Sequence, residues 1–187
     1  MEGDPRPEGG GSVRRTSTLE TDDTVGPEQI SQKLTERFGA KVLAVDAAGK
    51  HPHALLAPDA LVAAATFLRD DPELRFDYLR AVSGVDYPKD GKLVCVYDMI
   101  STTHRHSFAL KVETPRESPH VPSVASVWPT ANWHEREAFD LLGIVFDGHP
   151  DLTRLLLPED WVGHPLRKDY VFPKDYNGIP CASLINP

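Results

Sequence analysis

Histidines are the residues of this chain that most readily suggest metal chemistry, and there are eight of them. His104 and His106 stand two positions apart, so on a strand both rings would lie on one face, about 6.6 Å apart along it. A zinc site needs three or four ligands, and no HExxH, CxxC or carboxylate at a fixed spacing accompanies this pair. His149 and His164 each stand between a glycine and a proline, which is typical of turns. We interpret the histidines as surface or turn residues, with a metal site at His104 and His106 as the alternative.

Acidic residues form a second candidate group, in the stretch WHEREAFDLL. On a helix, Glu135 and Glu137 point to different faces and cannot work as a paired acid and base, whereas Arg136 and Asp140 are four apart and can pair. Apolar side chains are interleaved with these charges, an arrangement that leaves two interpretations open. Either the charges lie on a solvated face, or they are buried and need partners. Basic groups of another chain could serve, as could three further along this one: Arg154, Arg167 and Lys168.

Other chemistries have no signature in the sequence. There is no GxSxG nucleophile elbow, and Cys95 falls in an apolar strand where a thiol is usually inert. The glycines at positions 9–11 follow no strand and open no helix, so they are not a phosphate-binding loop. Two cysteines cannot supply the four thiolates that an iron–sulfur cluster normally needs. We therefore expect this chain to hold no active site, metal or cofactor of its own.

Composition narrows the function classes further. The chain has 187 residues and a formal net charge of -8, which argues against a general nucleic-acid binder because that role needs a basic surface. Its longest apolar run, residues 60–65, is far shorter than the ~20 residues that span a bilayer. Residues 1–26 contain little to bury and are predicted to be a disordered tail.

The elements that must position these groups follow from periodicity. Residues 27–130 are predicted to form a small α+β domain with a mixed or largely antiparallel sheet and two packed helices. Residues 92–100 are apolar on both alternating sets, which predicts a central strand covered on both faces. The predicted helices are 28–38 and a second from 58 to 71, and the predicted strands are 41–45, 53–56, 76–82, 92–100 and 104–113.

The second half of the chain differs from the first in composition, because it holds most of the 17 prolines. One helix is predicted at 133–142, with Asn132 as N-cap, Glu135 completing a capping box and Gly143 ending it. Beyond it, large apolar side chains recur among prolines that block long helices and central strands. We interpret residues 131–187 as a helix followed by a long proline-rich extension that docks on partner subunits.

The same region carries a resemblance to a known family. WHEREAFDLLGIVFDGHP, then LTRLL, then WVGHPLRKDY closely resemble the signature of the C subunit of NADH–quinone oxidoreductase, respiratory complex I. The likeness covers about residues 30–173. Leu142 replaces an aromatic residue usual in the family, and Val171 stands where a proline commonly follows.

The resemblance implies a non-catalytic subunit of the complex's peripheral arm, on the cytoplasmic side of the cell membrane, in contact with the D, B and I subunits. Flavin mononucleotide, iron–sulfur clusters and quinone would lie in other subunits, and the complex would oxidise NADH, reduce quinone and translocate protons. Residues expected to fix the fold and dock it are Trp133, Glu135, Arg136, Glu137, Asp140, Arg154, Trp161, Leu166, Arg167, Lys168, Asp169 and Tyr170.

Three alternatives remain at the level of sequence. Complex-I-like assemblies, such as membrane-bound [NiFe] hydrogenases, use a homologous module, and only the neighbouring subunits would separate them from complex I. A free-standing metal enzyme using His104 and His106 belongs to a different class, and stoichiometric metal in the purified chain would favour it. An adaptor outside respiration would be favoured if no respiratory subunit co-purified.

Overall fold

A computed structural model describes residues 25–181 of the chain. Apart from its last two residues, the predicted N-terminal tail lies outside this range, and so do the last six residues of the predicted extension. None of the helices within 25–181 is both long and apolar enough to cross a membrane.

A five-stranded mixed sheet organises the first two thirds of the chain and confirms the predicted α+β class. Its strand order is β1-β2-β5-β4-β3, with β2 and β5 parallel and the remaining neighbours antiparallel. The long β4–β5 and β3–β4 hairpins explain the predominance of antiparallel pairing. The strands are β1 (Val42–Asp46), β2 (His53–Leu56), β3 (Tyr78–Tyr87), β4 (Lys92–Ile100) and β5 (Ser107–Pro115).

The core lies on one face of this sheet, under helices α1 (Pro27–Phe38) and α2 (Leu61–Asp70). α1 begins at a proline and ends at Gly39, as predicted, and buries Ile30 and Leu34. β4 contributes Leu93, Cys95, Tyr97 and Met99 to the core. On its other face Val94 is buried, but Val96 and Ile100 are only partly buried. The predicted cover on both faces of β4 is therefore wrong, because every helix packs on the same side.

The third helix, α3 (Ala131–Leu142), packs against edge strand β3 and begins two residues earlier than predicted. Gly143 ends it in the left-handed conformation, with φ of 75°. The predicted capping box is wrong: Thr130 is the N-cap and makes no side-chain capping bond. Two further small sheets complete the fold, β6 (His120–Pro122) with β7 (Val145–Asp147) and β8 (Asp175–Tyr176) with β9 (Ile179–Pro180).

Candidate partner-docking surface

The C-terminal segment, residues 143–181, runs back over the end of α3 and caps it. The last four carbonyls of a helix have no partner within the helix and need donors from elsewhere. The Gly143 amide donates to Phe139 O at 2.9 Å. Donors from further along the segment reach the next three carbonyls: His164 Nδ1 to Asp140 O at 2.9 Å, Leu166 N to Leu141 O at 3.0 Å, and Arg167 Nε to Leu142 O at 2.8 Å. The segment thus satisfies this helix end completely.

Asp140 is the first of two buried carboxylates that fasten the segment. Its side chain projects from α3 into a turn and is only 1% exposed. Oδ2 accepts the backbone N–H groups of Leu155, Leu156 and Leu157 at 3.1, 2.8 and 2.8 Å, and Oδ1 accepts Arg154 Nη1 at 3.2 Å. Burial acts to raise the pKa of Asp140, but the three amides and Arg154 outweigh it, so its pKa lies below the usual value. Asp140 therefore stays ionised and holds three consecutive amides.

Arg136 lies beside this turn and also contacts the segment from α3. Its guanidinium donates to Thr153 O, Thr153 Oγ1 and Arg154 O at 3.0–3.2 Å and stacks 5.3 Å from the Trp133 ring. The spacing had suggested an Arg136–Asp140 ion pair, and the structure instead pairs Asp140 with Arg154. α3 thus binds residues 153–157 through the guanidinium of Arg136 and the carboxylate of Asp140.

Asp86 is the second buried carboxylate, and the sequence reasoning missed it. It is 3% exposed on the core face of β3, where Arg116 Nε and Nη2 bind its two oxygens at 2.8 and 3.2 Å. Its Oδ2 also accepts the backbone N–H of Lys168 at 2.8 Å, and Arg116 reaches on to Asp169. The Arg116 guanidinium is the main reason why the pKa of Asp86 lies below its usual value.

A signal for Asp86 existed in the strand pattern. Val82, Gly84 and Asp86 face the same side of β3, and Val82 is buried, so period-two alternation places an acid on the core face. No local spacing could have supplied its partner on the segment, because Lys168 is 82 residues away.

Glu135 turns inward rather than toward a partner. Its carboxylate is fully buried and accepts the Ser123 hydroxyl at 2.6 Å and the Val124 amide at 2.8 Å. Glu137, on a different face of the helix, is exposed. Of the predicted acidic group, the structure therefore brings Glu135 and Asp140 into internal contacts and leaves Glu137 at the surface.

Apolar side chains of the segment remain outside these contacts. Val162 and Val171 are each 84% exposed and Leu166 is 57% exposed. Trp133 on α3 is also exposed. We call this set the apolar docking surface: Trp133, Leu156, Val162, Leu166, Val171, Phe172 and Ile179.

Two pairs of aromatic side chains pack together within residues 161–176 of the segment. Trp161 packs on Tyr176 with ring centroids 5.1 Å apart, and the Tyr176 hydroxyl donates to Asp160 at 2.7 Å. Tyr170 meets Phe172 edge to face and donates its hydroxyl to Val162 O at 2.9 Å. Of the twelve predicted residues, Trp161 and Tyr170 are thus partly covered by their own segment.

His104 and His106 hold a loop in this structure. Their Nε2 atoms lie 2.9 and 2.7 Å from the carbonyls of Pro72 and Leu74, and their rings stack at 5.7 Å. A carbonyl contact at that distance requires a hydrogen on Nε2, which leaves those nitrogens without a lone pair for a metal. Within residues 25–181 there is no group of three or more His, Cys, Asp or Glu side chains that could hold a metal ion.

Comparison with known families supplies the deciding observation. Residues 54–176 match the family described as "Respiratory-chain NADH dehydrogenase, 30 Kd subunit". The match includes the sheet from β2 onward, α3 and both carboxylate contacts. The chain belongs to this family. The resemblance that the signature carried is thereby confirmed.

Named relatives of the 30-kDa subunit family agree with this assignment. The C subunit of NADH-quinone oxidoreductase from Chlorobium phaeobacteroides is 46% identical over 161 residues, which cover 81% of this chain and 96% of that protein. The C subunits from Chloroherpeton thalassium and Mycolicibacterium gilvum are 47% and 51% identical, over 81% and 64% of this chain. The chain spans 64% and 55% of their own lengths.

Solved structures show the same fold. A trypsin-resistant fragment of Nqo5 superposes with a TM-score of 0.53 at 28% identity and covers 66% of this chain and 99% of the fragment. A chain of the membrane-bound sulfane sulfur reductase, an archaeal respiratory membrane complex, has a TM-score of 0.66 at 20% identity. It covers 77% of this chain and 85% of that one, and at this identity the likeness concerns the fold alone.

Proposed function

We propose that this chain is a non-catalytic peripheral-arm subunit of a proton-translocating NADH–quinone oxidoreductase. Its task is to hold an apolar docking surface in a fixed shape against neighbouring subunits. The observation that carries the proposal is the C-terminal segment, whose backbone is fastened by Asp140 and Asp86 while Val162, Leu166 and Val171 face outward. Exposed apolar groups on a segment held this firmly favour association with another protein.

The free energy of burying apolar side chains favours docking on a partner over leaving these side chains in solvent. Val162, Leu166 and Val171 would each contribute on the order of 1–2 kcal/mol if fully buried at an interface. A preorganised segment also loses less conformational entropy on binding than one that orders at that moment. The segment is thus suited to tight association.

We assign its partners by family likeness, as the D, B and I subunits of the peripheral arm. Flavin mononucleotide, iron–sulfur clusters and quinone then belong to other subunits, and this chain supports the electron path structurally. The location that follows is the cytoplasmic side of the cell membrane, reached through the complex.

Charge substitution on the docking surface tests this proposal. We expect the double variant Val162→Asp and Val171→Asp, expressed in the host in place of the wild-type chain, to abolish its recovery with quinone-site and cluster-bearing subunits after mild-detergent extraction. NADH–quinone activity of the membranes should fall in parallel. Val45→Asp is the matched control, since Val45 is exposed on edge strand β1 at the far side of the sheet.

Three results would contradict the proposal. Undiminished recovery of the double variant would mean that the apolar docking surface is not the interface. Wild-type chain that brings down nickel-bearing hydrogenase subunits would assign it to a complex-I-like assembly instead. A wild-type chain recovered alone with stoichiometric metal would favour the His104 and His106 enzyme.

A further inference from the structure

Glu135 joins three parts of the chain that are distant in sequence. The residue itself belongs to α3, and its carboxylate accepts hydrogen bonds from Ser123 and Val124 in the turn after β6. The Ser123 hydroxyl oxygen in turn accepts the Ala125 amide at 3.1 Å. His149, in the turn after β7 within the C-terminal segment, lies with Nε2 3.9 Å from Glu135 Oε2. The side chains of Glu135 and His149 are both fully buried.

His149 does not compensate a charge on Glu135. Its Nδ1 accepts the Asp151 amide at 3.0 Å, so this nitrogen carries no hydrogen. The hydrogen sits on Nε2, which lies 3.2 Å from the Asn132 carbonyl. Both ring nitrogens are thus engaged by backbone groups, one as acceptor and one as donor. Within residues 25–181, no other basic side chain comes within 4.0 Å of the Glu135 carboxylate.

The groups that face Glu135 from β4 are also neutral. Burial raises the pKa of the Cys95 thiol to about 12, and burial likewise raises the pKa of Tyr97 well above its usual value. The Tyr97 hydroxyl is buried without a hydrogen-bond partner among the described residues. Burial raises the pKa of Glu135 itself to about 7, against the opposing effect of the bonds from Ser123 and Val124.

We propose that Glu135 is a buried proton-binding site that keeps the turns of Ser123 and His149 closed on α3 when protonated and loosens them when ionised. An ionised carboxylate here has no cation beside it and gains hydration only when one of these turns moves away. The protonation state of Glu135 therefore controls how closely the start of the C-terminal segment packs on α3. This inference concerns the chain itself and does not depend on the proposed docking role.

The direction of the pH effect follows from linkage. A carboxyl whose folded pKa is raised from 4.5 to about 7 stabilises the folded chain fully below its unfolded pKa. That contribution is lost as the pH rises from 4.5 through about 7. Closure of the two turns thus weakens as the pH rises from 4.5 to about 7 and changes little above that.

Nuclear magnetic resonance of the full-length chain, labelled with ¹³C at the glutamate carboxyls, tests the proposal. We expect one carboxyl resonance to titrate with a midpoint near pH 7, and to disappear in Glu135→Gln but not in the control Glu137→Gln. The protection of the Val124 amide against hydrogen exchange, corrected for the intrinsic rate, should fall by up to roughly 100-fold between pH 4.5 and about 7 and stay level in Glu135→Gln.

Ser123→Ala gives a second test if Glu135→Gln fails to fold. Removing the hydroxyl donor takes away a bond that favours the carboxylate, so the midpoint should rise further. The proposal is overturned if every glutamate titrates near the ordinary value of about 4.3. It is also overturned if the protection of Val124 in the wild-type chain does not fall between pH 4.5 and about 7.

Discussion

The five-stranded sheet and the C-terminal segment are ordered by opposite means. The sheet buries Leu93, Tyr97 and Leu110 under two helices, so its order follows from the apolar side chains of its own strands. The segment has its backbone amides held by Asp140 and Asp86, while Val162 and Val171 stay in solvent. Ile144 and Phe146 anchor the start of the segment in the core, whereas its later part is fixed chiefly through its backbone, so the exposed apolar groups there remain available for another molecule.

The largest effect that distinguishes the two regions is expected for Asp140→Ala. The change removes the acceptor of three amides and leaves Arg154 unpaired, so we expect the free energy of unfolding to fall by about 3–5 kcal/mol. Denaturant unfolding of the purified chain measures this. Asp140→Asn, which keeps one carbonyl acceptor, should lose clearly less. Equal losses in both variants would show that charge and not acceptor geometry governs the site.

Gly143→Ala probes the turn that sends the segment back over α3. A Cβ at this position would lie 2.5 Å from the His164 ring, and the backbone has φ of 75°. We expect a loss of about 1–2 kcal/mol from backbone strain, with additional displacement of His164. Gly148→Ala is the matched control, since its φ is 82° but nothing lies within 4 Å of the added Cβ. If the free energy of unfolding falls equally in both variants, the close approach to His164 does not contribute to the effect of Gly143→Ala.

Arg167→Ala should give a smaller loss. The guanidinium donates to the last carbonyl of α3 and places a positive charge at the negative end of the helix dipole. We expect about 1 kcal/mol in thermal or denaturant unfolding. Lys168→Ala is the control, because only the backbone of Lys168 contacts Asp86. A comparable loss in Lys168→Ala would contradict this assignment.

Strong acid should release the segment before it unfolds the sheet, and this effect is absent near neutrality. Asp86 and Asp140 have pKa values below 3.8, so their stabilisation is present above the unfolded pKa and is lost as the pH falls through the folded values. The fluorescence of Trp161, recorded with Trp128 and Trp133 replaced by phenylalanine, should change at a higher pH than the circular dichroism of the sheet. Coincident transitions would mean that the two regions unfold together.

Local patterns predicted most of the sheet, but β3 runs to Tyr87, five residues beyond the end of the strand predicted at 76–82. The bounds of β2 and β4 agree with their apolar periods, and the ends of α1 agree with its proline and glycine signals. β5 begins three residues later than predicted because Arg105 adopts a positive φ in a tight turn. The predicted strand pattern could not show that turn, since His104 and His106 bond to carbonyls of another loop.

The sequence allowed the type of contact that the segment makes to be predicted, but not most of the residues that make it. The charged pattern of α3 indicated that Asp140 would need a partner, and Arg154 was among the candidates. Nothing in the sequence identifies the backbone amides at 155–157 as the partners of Asp140. Nor could the pair of Arg116 and Asp86 be recognised, because the two residues are 30 positions apart. Glu135 was assigned to a helix cap, whereas a turn brought back by β6 provides its donors. Long-range bonds of this kind depend on the finished topology.

Hydrogen exchange of the isolated full-length chain, followed by mass spectrometry, tests most directly whether the segment is ordered by its own carboxylates. We expect the amides of Leu155, Leu156, Leu157 and Lys168 to be protected in the chain without partners, and Asp140→Ala to remove the protection at the first three alone. Exchange of all four at the rate of an unstructured peptide in the wild-type chain would contradict it, since the segment would then be ordered only by its partners.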